Sequence, residues 1–245
     1  MADKISPIIV GLPLYDGVTL MDFVGPTDVF AVTNDFFTPI WLAEEKRPIK
    51  TSEGTFVYPN YSFEENYPHI DILFVPGGHA DGVINNAMFN KKFQTFIKQA
   101  AAGAEWAGSV CVGAFILAAA GLLNNCTVTT YWSQLSNFRL LRKYCNIKIP
   151  NGYPRGIIDE KRKRFTGGGV SSSVDLALML LEKIKGKWMA EASQLFIQYA
   201  PDPPVHAGDP SQAPPSVLKQ VMISQAGTTR LYYDAVQRLL GTKKI

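Results

Sequence analysis

The chemistry in this chain starts from one cysteine in a glycine-flanked turn. Cys111 lies in Gly108-Ser109-Val110-Cys111-Val112-Gly113-Ala114-Phe115. The residues before it, Glu105 to Val110, read as a strand end. Ala114 to Leu123 read as a buried helix with Gly121 near its end. Cys111 therefore falls in the turn between strand and helix, a nucleophile elbow with Cys in place of Ser. Such a turn lifts the side chain to the carboxyl edge of a parallel sheet, where the positive end of the following helix favours the thiolate. A cysteine before an apolar helix is as often simple packing, so the turn alone leaves both readings open. Cys126 and Cys145 have no glycine turn after them and read as structural.

Two further segments fall on the same sheet edge. Ile8 to Leu14 is a continuous apolar run, the pattern of a central parallel strand. After it, Pro26 fits the first turn of a helix from Thr27 to Val32. Asp22 then lies just outside the strand's carboxyl end, the binding side of an open α/β sheet. By local pattern alone, a helix-capping or loop carboxylate fits Asp22 better. Asp71 to Val75 is another buried strand and ends in Pro76-Gly77-Gly78-His79. Gly77 and Gly78 let backbone N–H groups approach a ligand closely. Together with the N–H of Val112 they can form an oxyanion-type pocket. His79 offers a base for a Cys-His pair, but a loop or substrate-lining position fits it better, since nothing else fixes it as a base. The three histidines show no HxH or HExxH pairing, so no metal is expected.

The remaining elements supply the scaffold. Phe36 to Ala43 reads as a strand, Ile49 to Val57 as a small hairpin, and Tyr61 to Tyr67 as a short polar segment. Phe89 to Ala101 is an amphipathic helix whose phenylalanines face the core. Thr127 to Thr130 and Ile147 to Ile149 read as strands, with a helix between them to Tyr144. Gly156-Ile157-Ile158 and Arg164-Phe165-Thr166 read as an antiparallel pair around a charged turn. Gly167-Gly168-Gly169 opens a helix through Ile184, without the spacing of a nucleotide site. Trp188 to Tyr199, Ser216 to Gln225 and Leu231 to Leu240 read as helices, with an irregular loop up to Pro215.

With 245 residues, 47% hydrophobic and 18% charged, the chain suits one α/β domain with a full core. The reading is a single domain over 1–245, with the core at about 7–200 and a C-terminal loop and helices at 201–245. A net charge of +3 is too small to suggest nucleic acid. Three widely spaced cysteines give no disulfide framework. Met1 to Pro7 lacks the pattern of a signal peptide, and no run is long enough to span a membrane. A cytoplasmic protein is expected.

Taken together, these segments resemble the ThiJ/PfpI superfamily, which shares its sandwich with class I glutamine amidotransferases. The residues that carry the resemblance are Asp22-Phe23-Val24-Gly25-Pro26, Val75-Pro76-Gly77-Gly78, Ser109-Val110-Cys111-Val112-Gly113-Ala114, Thr129-Thr130-Tyr131-Trp132 and Thr166-Gly167-Gly168-Gly169. The tail from Gln194 to Pro210 resembles the isonitrile hydratase branch. The resemblance implies a flavodoxin-like three-layer sandwich, with a mostly parallel central sheet and helices on both faces. It implies a homodimer acting on a small molecule without cofactor or metal. It also implies that the Cys111 thiolate attacks an isonitrile carbon to form a thioimidate, that Asp22 moves the proton, and that water releases an N-substituted formamide. Gly77, Gly78 and the Val112 backbone would line the anion pocket. The chain departs from that branch at three positions. Val112 replaces a threonine, Tyr131 replaces a histidine, and His79 stands where a small residue is usual, so His79 and Tyr131 would reshape the substrate pocket. The rival readings are a glyoxalase- or amidase-like hydrolase and a non-enzymatic sensor in which Cys111 oxidises beside Asp22. With no helix-turn-helix after the sandwich, a regulator's sensing domain is not expected.

Overall fold

The computed structural model describes residues 6–33 and 36–242. Met1 to Ile5, read above for a leader segment, lie outside them. The strands are β1 (Ile8–Leu14), β2 (Phe37–Ala43), β3 (Ile49–Lys50), β4 (Phe56–Val57), β5 (Tyr61–Ser62), β6 (Ile72–Val75), β7 (Trp106–Ser109), β8 (Gly156–Asp159) and β9 (Arg164–Gly167). Seven of them form one sheet in the order β5-β2-β1-β6-β7-β9-β8. Neighbours run parallel except at the β8–β9 edge. β3 and β4 form the separate hairpin read from the sequence. The central strands are buried on both faces, which is why they read as unbroken apolar runs. Pro13 has no N–H for a ladder, and it lies past the last β1 residue that pairs with β6.

The helices are α1 (Leu20–Ala31), α2 (Lys91–Gly103), α3 (Gly113–Ala119), α4 (Leu135–Leu140), α5 (Arg142–Cys145), α6 (Ser172–Lys185), α7 (Lys187–Phe196), α8 (Pro215–Ser224) and α9 (Ala226–Thr242). α1, α6 and α7 pack together on one face of the sheet; α2, α3 and a π-helical turn, Gly82–Met88, pack on the other. The α/β sandwich with a mostly parallel sheet is thus as the sequence indicated. α2 starts where the Asn90 side chain accepts hydrogen bonds from the amides of Lys92 and Phe93. α9 packs across α4 and α5.

Several local readings need correction. α1 begins at Leu20, so Pro26 lies inside it and Asp22 belongs to its first turn. Proline is tolerated there because it removes one internal hydrogen bond while the rest of the helix packs against β2 and α6. Thr127 to Thr130 is not a strand. Its amides are taken elsewhere: Thr127 N–H donates to Asp159 Oδ2 at 2.9 Å and Thr129 N–H to Thr166 Oγ1 at 2.8 Å. Ile147 to Ile149 likewise makes only the isolated bridge from Lys148 to Thr127. Tyr61 to Tyr67 contributes a short edge strand, and the helix read up to Tyr144 is broken at Leu141.

The sheet is tightest where β7 meets β9. A Cβ built on Gly108 would lie 2.2 Å from the Phe165 ring and 2.2 Å from its carbonyl oxygen. Gly108→Ala is therefore expected to lower unfolding free energy by about 2 kcal/mol, read as a lower denaturation midpoint with an unchanged slope.

Candidate functional site

Cys111 occupies the turn between β7 and α3 in a left-handed conformation, with φ 55°. That conformation is disfavoured for any residue with a Cβ, at about 1–3 kcal/mol when it is held as strain. Three hydrogen bonds hold it. Cys111 N–H donates to the Gly168 carbonyl at 2.5 Å, Val110 N–H donates to the Val75 carbonyl at 3.1 Å, and the Thr130 hydroxyl donates to the Cys111 carbonyl at 2.8 Å. Gly113 lets α3 start against β6, since a Cβ there would meet the carbonyl oxygens of Val75 and Pro76 at 2.6 and 2.8 Å. The elbow is therefore held by backbone at the ends of β6 and β9 and by the Thr130 side chain.

Asp22 reaches the same point from α1. Gly77 N–H donates to Asp22 Oδ2 at 2.9 Å, while Asp22 Oδ1 is buried and has no hydrogen-bond partner among the described residues. Gly77 can carry no side chain here. A Cβ would lie 2.8 Å from Cys111 Cβ, 2.8 Å from the Val112 nitrogen and 3.0 Å from Asp22 Oδ2. Cys111, Asp22, Gly77 and Val112 therefore meet at one place, and the Val112 N–H is directed at the sulfur.

The electrostatics differ from the sequence expectation of a thiolate favoured by a helix N-terminus. Asp22 is fully buried, and burial lifts its carboxyl to about 8 against the pull of the Gly77 amide and the thiol. Negative charge at Glu53, whose carboxylate accepts from the Leu20 amide, adds to the rise. Burial also pushes the Cys111 thiol up, the nearby Asp22 charge pushes it further, and the Val112 N–H opposes both. Desolvation and a neighbouring carboxylate outweigh the helix end, so the resting pair holds its protons. The sulfur is also enclosed, with Cys111 only 6% exposed. A cleft of about 120 Å³ touches Thr130 and Gly168, which hold the Cys111 backbone, but neither Cys111 nor Asp22 lines it.

The other sequence-derived positions are spread around this cluster. Gly77 commits its amide to Asp22. Gly78 joins an antiparallel bridge to Val18, and a Cβ on it would lie 2.4 Å from the Gly17 carbonyl. The His79 ring is 62% exposed, with Nδ1 3.9 Å from Asp81. The Tyr131 ring covers Gly169, and its hydroxyl accepts a hydrogen bond from Gln225 at 3.0 Å. Cys126 and Cys145 are buried in the core. Among the described residues, no three His, Cys, Asp or Glu side chains converge as a metal-ligand set, and no helix is long and apolar enough to cross a membrane.

Two tyrosines of the site were not singled out from the sequence. Tyr15 follows β1, and its hydroxyl donates to the Pro76 carbonyl at 3.1 Å. Tyr232 comes from α9, is 1% exposed, and packs in a tilted arrangement on Phe115 of α3 with ring centroids 4.8 Å apart. Burial raises both phenols, and each also feels Asp22 and Cys111. No local pattern marks Tyr232; only the packing of α9 brings it here.

Comparison with known proteins agrees with this geometry. Residues 9–182 match the DJ-1/PfpI family. The chain is 32% identical over 230 residues to an isonitrile hydratase of Pseudomonas putida, covering 94% of this chain and 95% of that protein. It is 24% identical over 203 residues to the HTH-type transcriptional regulator GbdR of Pseudomonas aeruginosa, covering 78% of this chain and 51% of the regulator. The crystal structure of a ThiJ/PfpI family protein from Pseudomonas syringae superposes with a TM-score of 0.84 at 29% identity, covering 94% of this chain and 90% of that one. With the elbow, the sheet order and these matches in agreement, the chain belongs to the DJ-1/PfpI family.

Proposed function

We propose that this protein is an isonitrile hydratase-like enzyme, a cytoplasmic homodimer that acts without a cofactor and uses Cys111 as nucleophile and Asp22 as proton carrier. The observation that carries the reading is the buried carboxyl beside the thiol, held by the Gly77 amide and lifted to about 8. Similarity to the Pseudomonas putida isonitrile hydratase along almost the whole chain supports the substrate class.

The proton inventory suits an isonitrile. In the first step the Cys111 sulfur bonds to the terminal carbon of R–N≡C, and one proton passes from the thiol by way of Asp22 to that same carbon. The product is the thioimidate R–N=CH–S. In the second step water adds to the thioimidate carbon, a proton reaches the nitrogen, and the carbon–sulfur bond breaks. R–NH–CHO leaves and the thiol is restored, so the sum is substrate plus water with no oxidant or reductant. A neutral carboxylic acid within reach of the sulfur can both take and return that proton, and a soft sulfur nucleophile matches the isonitrile carbon. Val112 N–H remains available to developing charge on the sulfur despite the missing threonine hydroxyl.

Two outcomes test the reading. With cyclohexyl isonitrile, Cys111→Ala is expected to abolish N-cyclohexylformamide production and leave the melting curve within a few degrees of wild type; rapid methylglyoxal consumption without formamide from the wild type would point instead to the glyoxalase-like rival. Because the working form of Asp22 is the protonated one, kcat/KM is expected to fall as pH rises through about 8. In Asp22→Asn that limb should vanish together with at least about 99% of the rate, and a rate flat across that limb in the wild type would remove Asp22 from the proton path.

A further inference from the structure

The cleft of about 120 Å³ beside the elbow has no part in the mechanism above, since neither Cys111 nor Asp22 lines it. One wall is formed by Gly168, Gly169 and Ser172, the glycine run and the first residue of α6. Ser172 is 1% exposed, and its hydroxyl has no hydrogen-bond partner among the described residues. A Cβ built on Gly168 would lie 3.5 Å from Ser172 Oγ and 3.5 Å from the Pro154 carbonyl oxygen. Gly168 and Pro154 both line the cleft, so the hydroxyl is aimed into it. α6 runs for 14 residues, and its N-terminus presents the positive end of the helix dipole at the same place. Arg155 stands beside it. Its Nε is paired with Asp175 and its Nη2 donates to Ser171 Oγ at 3.2 Å, while its Nη1 makes no hydrogen bond to a described residue. A hydroxyl, a helix start and a guanidinium together suit a carboxylate.

A negative charge lines the same cleft. Asp209 belongs to the irregular segment between α7 and α8. The Ser211 hydroxyl and amide donate to its Oδ1 at 2.6 and 2.7 Å and hold its carboxyl below the usual range, so it is ionised at neutrality. Its Oδ2 has no hydrogen bond to a described residue. Trp132 and Tyr153 bring two aromatic rings to the cleft, and ring faces attract cations. A simple anion would be repelled by Asp209, and a simple cation would leave Ser172 and Arg155 unanswered. A ligand carrying both charges answers both. We infer that this cleft binds the zwitterionic head of a small α-amino acid, its carboxylate on Ser172, Arg155 and the start of α6, and its ammonium on Asp209 beside Trp132 and Tyr153. The Ser172 hydroxyl hydrogen rotates about its C–O bond, so it can turn to a carboxylate without movement of α6. A larger hollow of about 630 Å³ shares Arg155, Gly208 and Asp209 with the cleft, and a side chain on the ligand has room to extend there. The assignment stands apart from the isonitrile reading, because no reacting atom lines the cleft.

Titration calorimetry on the full chain at neutral pH tests this with three probes. L-alanine carries both charges, propionate is the same skeleton without the ammonium, and ethylamine is the skeleton without the carboxylate. L-alanine is expected to bind at least about tenfold more tightly than either half, the size of one charge-assisted hydrogen bond. Ser172→Ala removes a hydroxyl that makes no hydrogen bond, and Asp209→Asn keeps the oxygen that Ser211 uses, so both variants retain the fold, as circular dichroism would verify. Ser172→Ala is expected to weaken L-alanine and propionate by about tenfold and leave ethylamine unchanged. Asp209→Asn is expected to weaken L-alanine and ethylamine by a similar factor and leave propionate no weaker. The assignment is overturned if L-alanine shows no saturable binding, if either half binds as tightly as the whole, or if L-alanine affinity survives both substitutions.

Discussion

Everything at this site depends on one contact: the Gly77 amide on the Asp22 carboxylate, made inside the protein beside a thiol. A carboxyl buried without a donor would lose its proton only at high pH, and one ringed by donors would never hold a proton near neutrality. A single backbone N–H leaves Asp22 between those limits. The contact also explains why position 77 is glycine. Any side chain there would occupy the space where the sulfur, the carboxyl and the Val112 amide meet. The β6 end, the α1 first turn and the elbow are thus mutually constraining, and each is placed correctly only if the other two are.

The elbow carries backbone strain, and the surrounding structure opposes its release. Turning Cys111 out of its left-handed conformation would break its hydrogen bond to Gly168 and the one from Thr130, and both of those segments are themselves tied to β9. Thr129 and Thr130 illustrate how the fold uses residues that look like a strand. The Thr129 amide is spent on the Thr166 hydroxyl of β9 and the Thr130 hydroxyl on the Cys111 carbonyl, instead of on a ladder. The sheet's carboxyl edge is therefore stiff where the chemistry would occur, and the irregular segment from Thr127 to Tyr131 is part of the reason.

The sheet and the elbow were legible because glycine, proline and unbroken apolar runs mark them locally. Gly108, Gly113 and the run into Leu123 place Cys111 without reference to any distant residue. Pro26 in isolation looks like a helix start, whereas α1 begins at Leu20, whose amide donates to Glu53 in the distant hairpin turn. The Thr127 to Thr130 strand failed for a related reason: alternation and β-branched residues say nothing about which acceptors lie nearby. Least legible was the acidity of the site. The argument from a helix N-terminus is local and points downward, while desolvation and the carboxylate neighbour are tertiary and point upward. The tertiary effects prevail because α3 has only seven residues and the sulfur is shut away from water. Tyr232 could not be found at all, since its place depends on how α9 crosses α4 and α5.

A neutral, enclosed pair narrows the chemistry this site can favour. Creating a thiolate beside an ionised Asp22 would set two negative charges against each other in a medium of low dielectric, where such repulsion amounts to several kcal/mol. Relaying a proton from the thiol through the neutral carboxyl, which gives up its own proton to the substrate as it accepts the thiol's, creates no lasting charge. Addition of a thiol across a neutral, compact carbon electrophile meets that condition at every stage, because each proton released from sulfur is consumed at the carbon or nitrogen that sulfur has joined. Oxidation of the sulfur does not meet it, since a sulfinate brings a lasting charge that must be neutralised by donors. Asp22 in its protonated form and the Val112 amide are the donors present at the sulfur itself. The same enclosure that raises the thiol therefore weighs toward a small uncharged substrate and against a site whose resting purpose is to store charge.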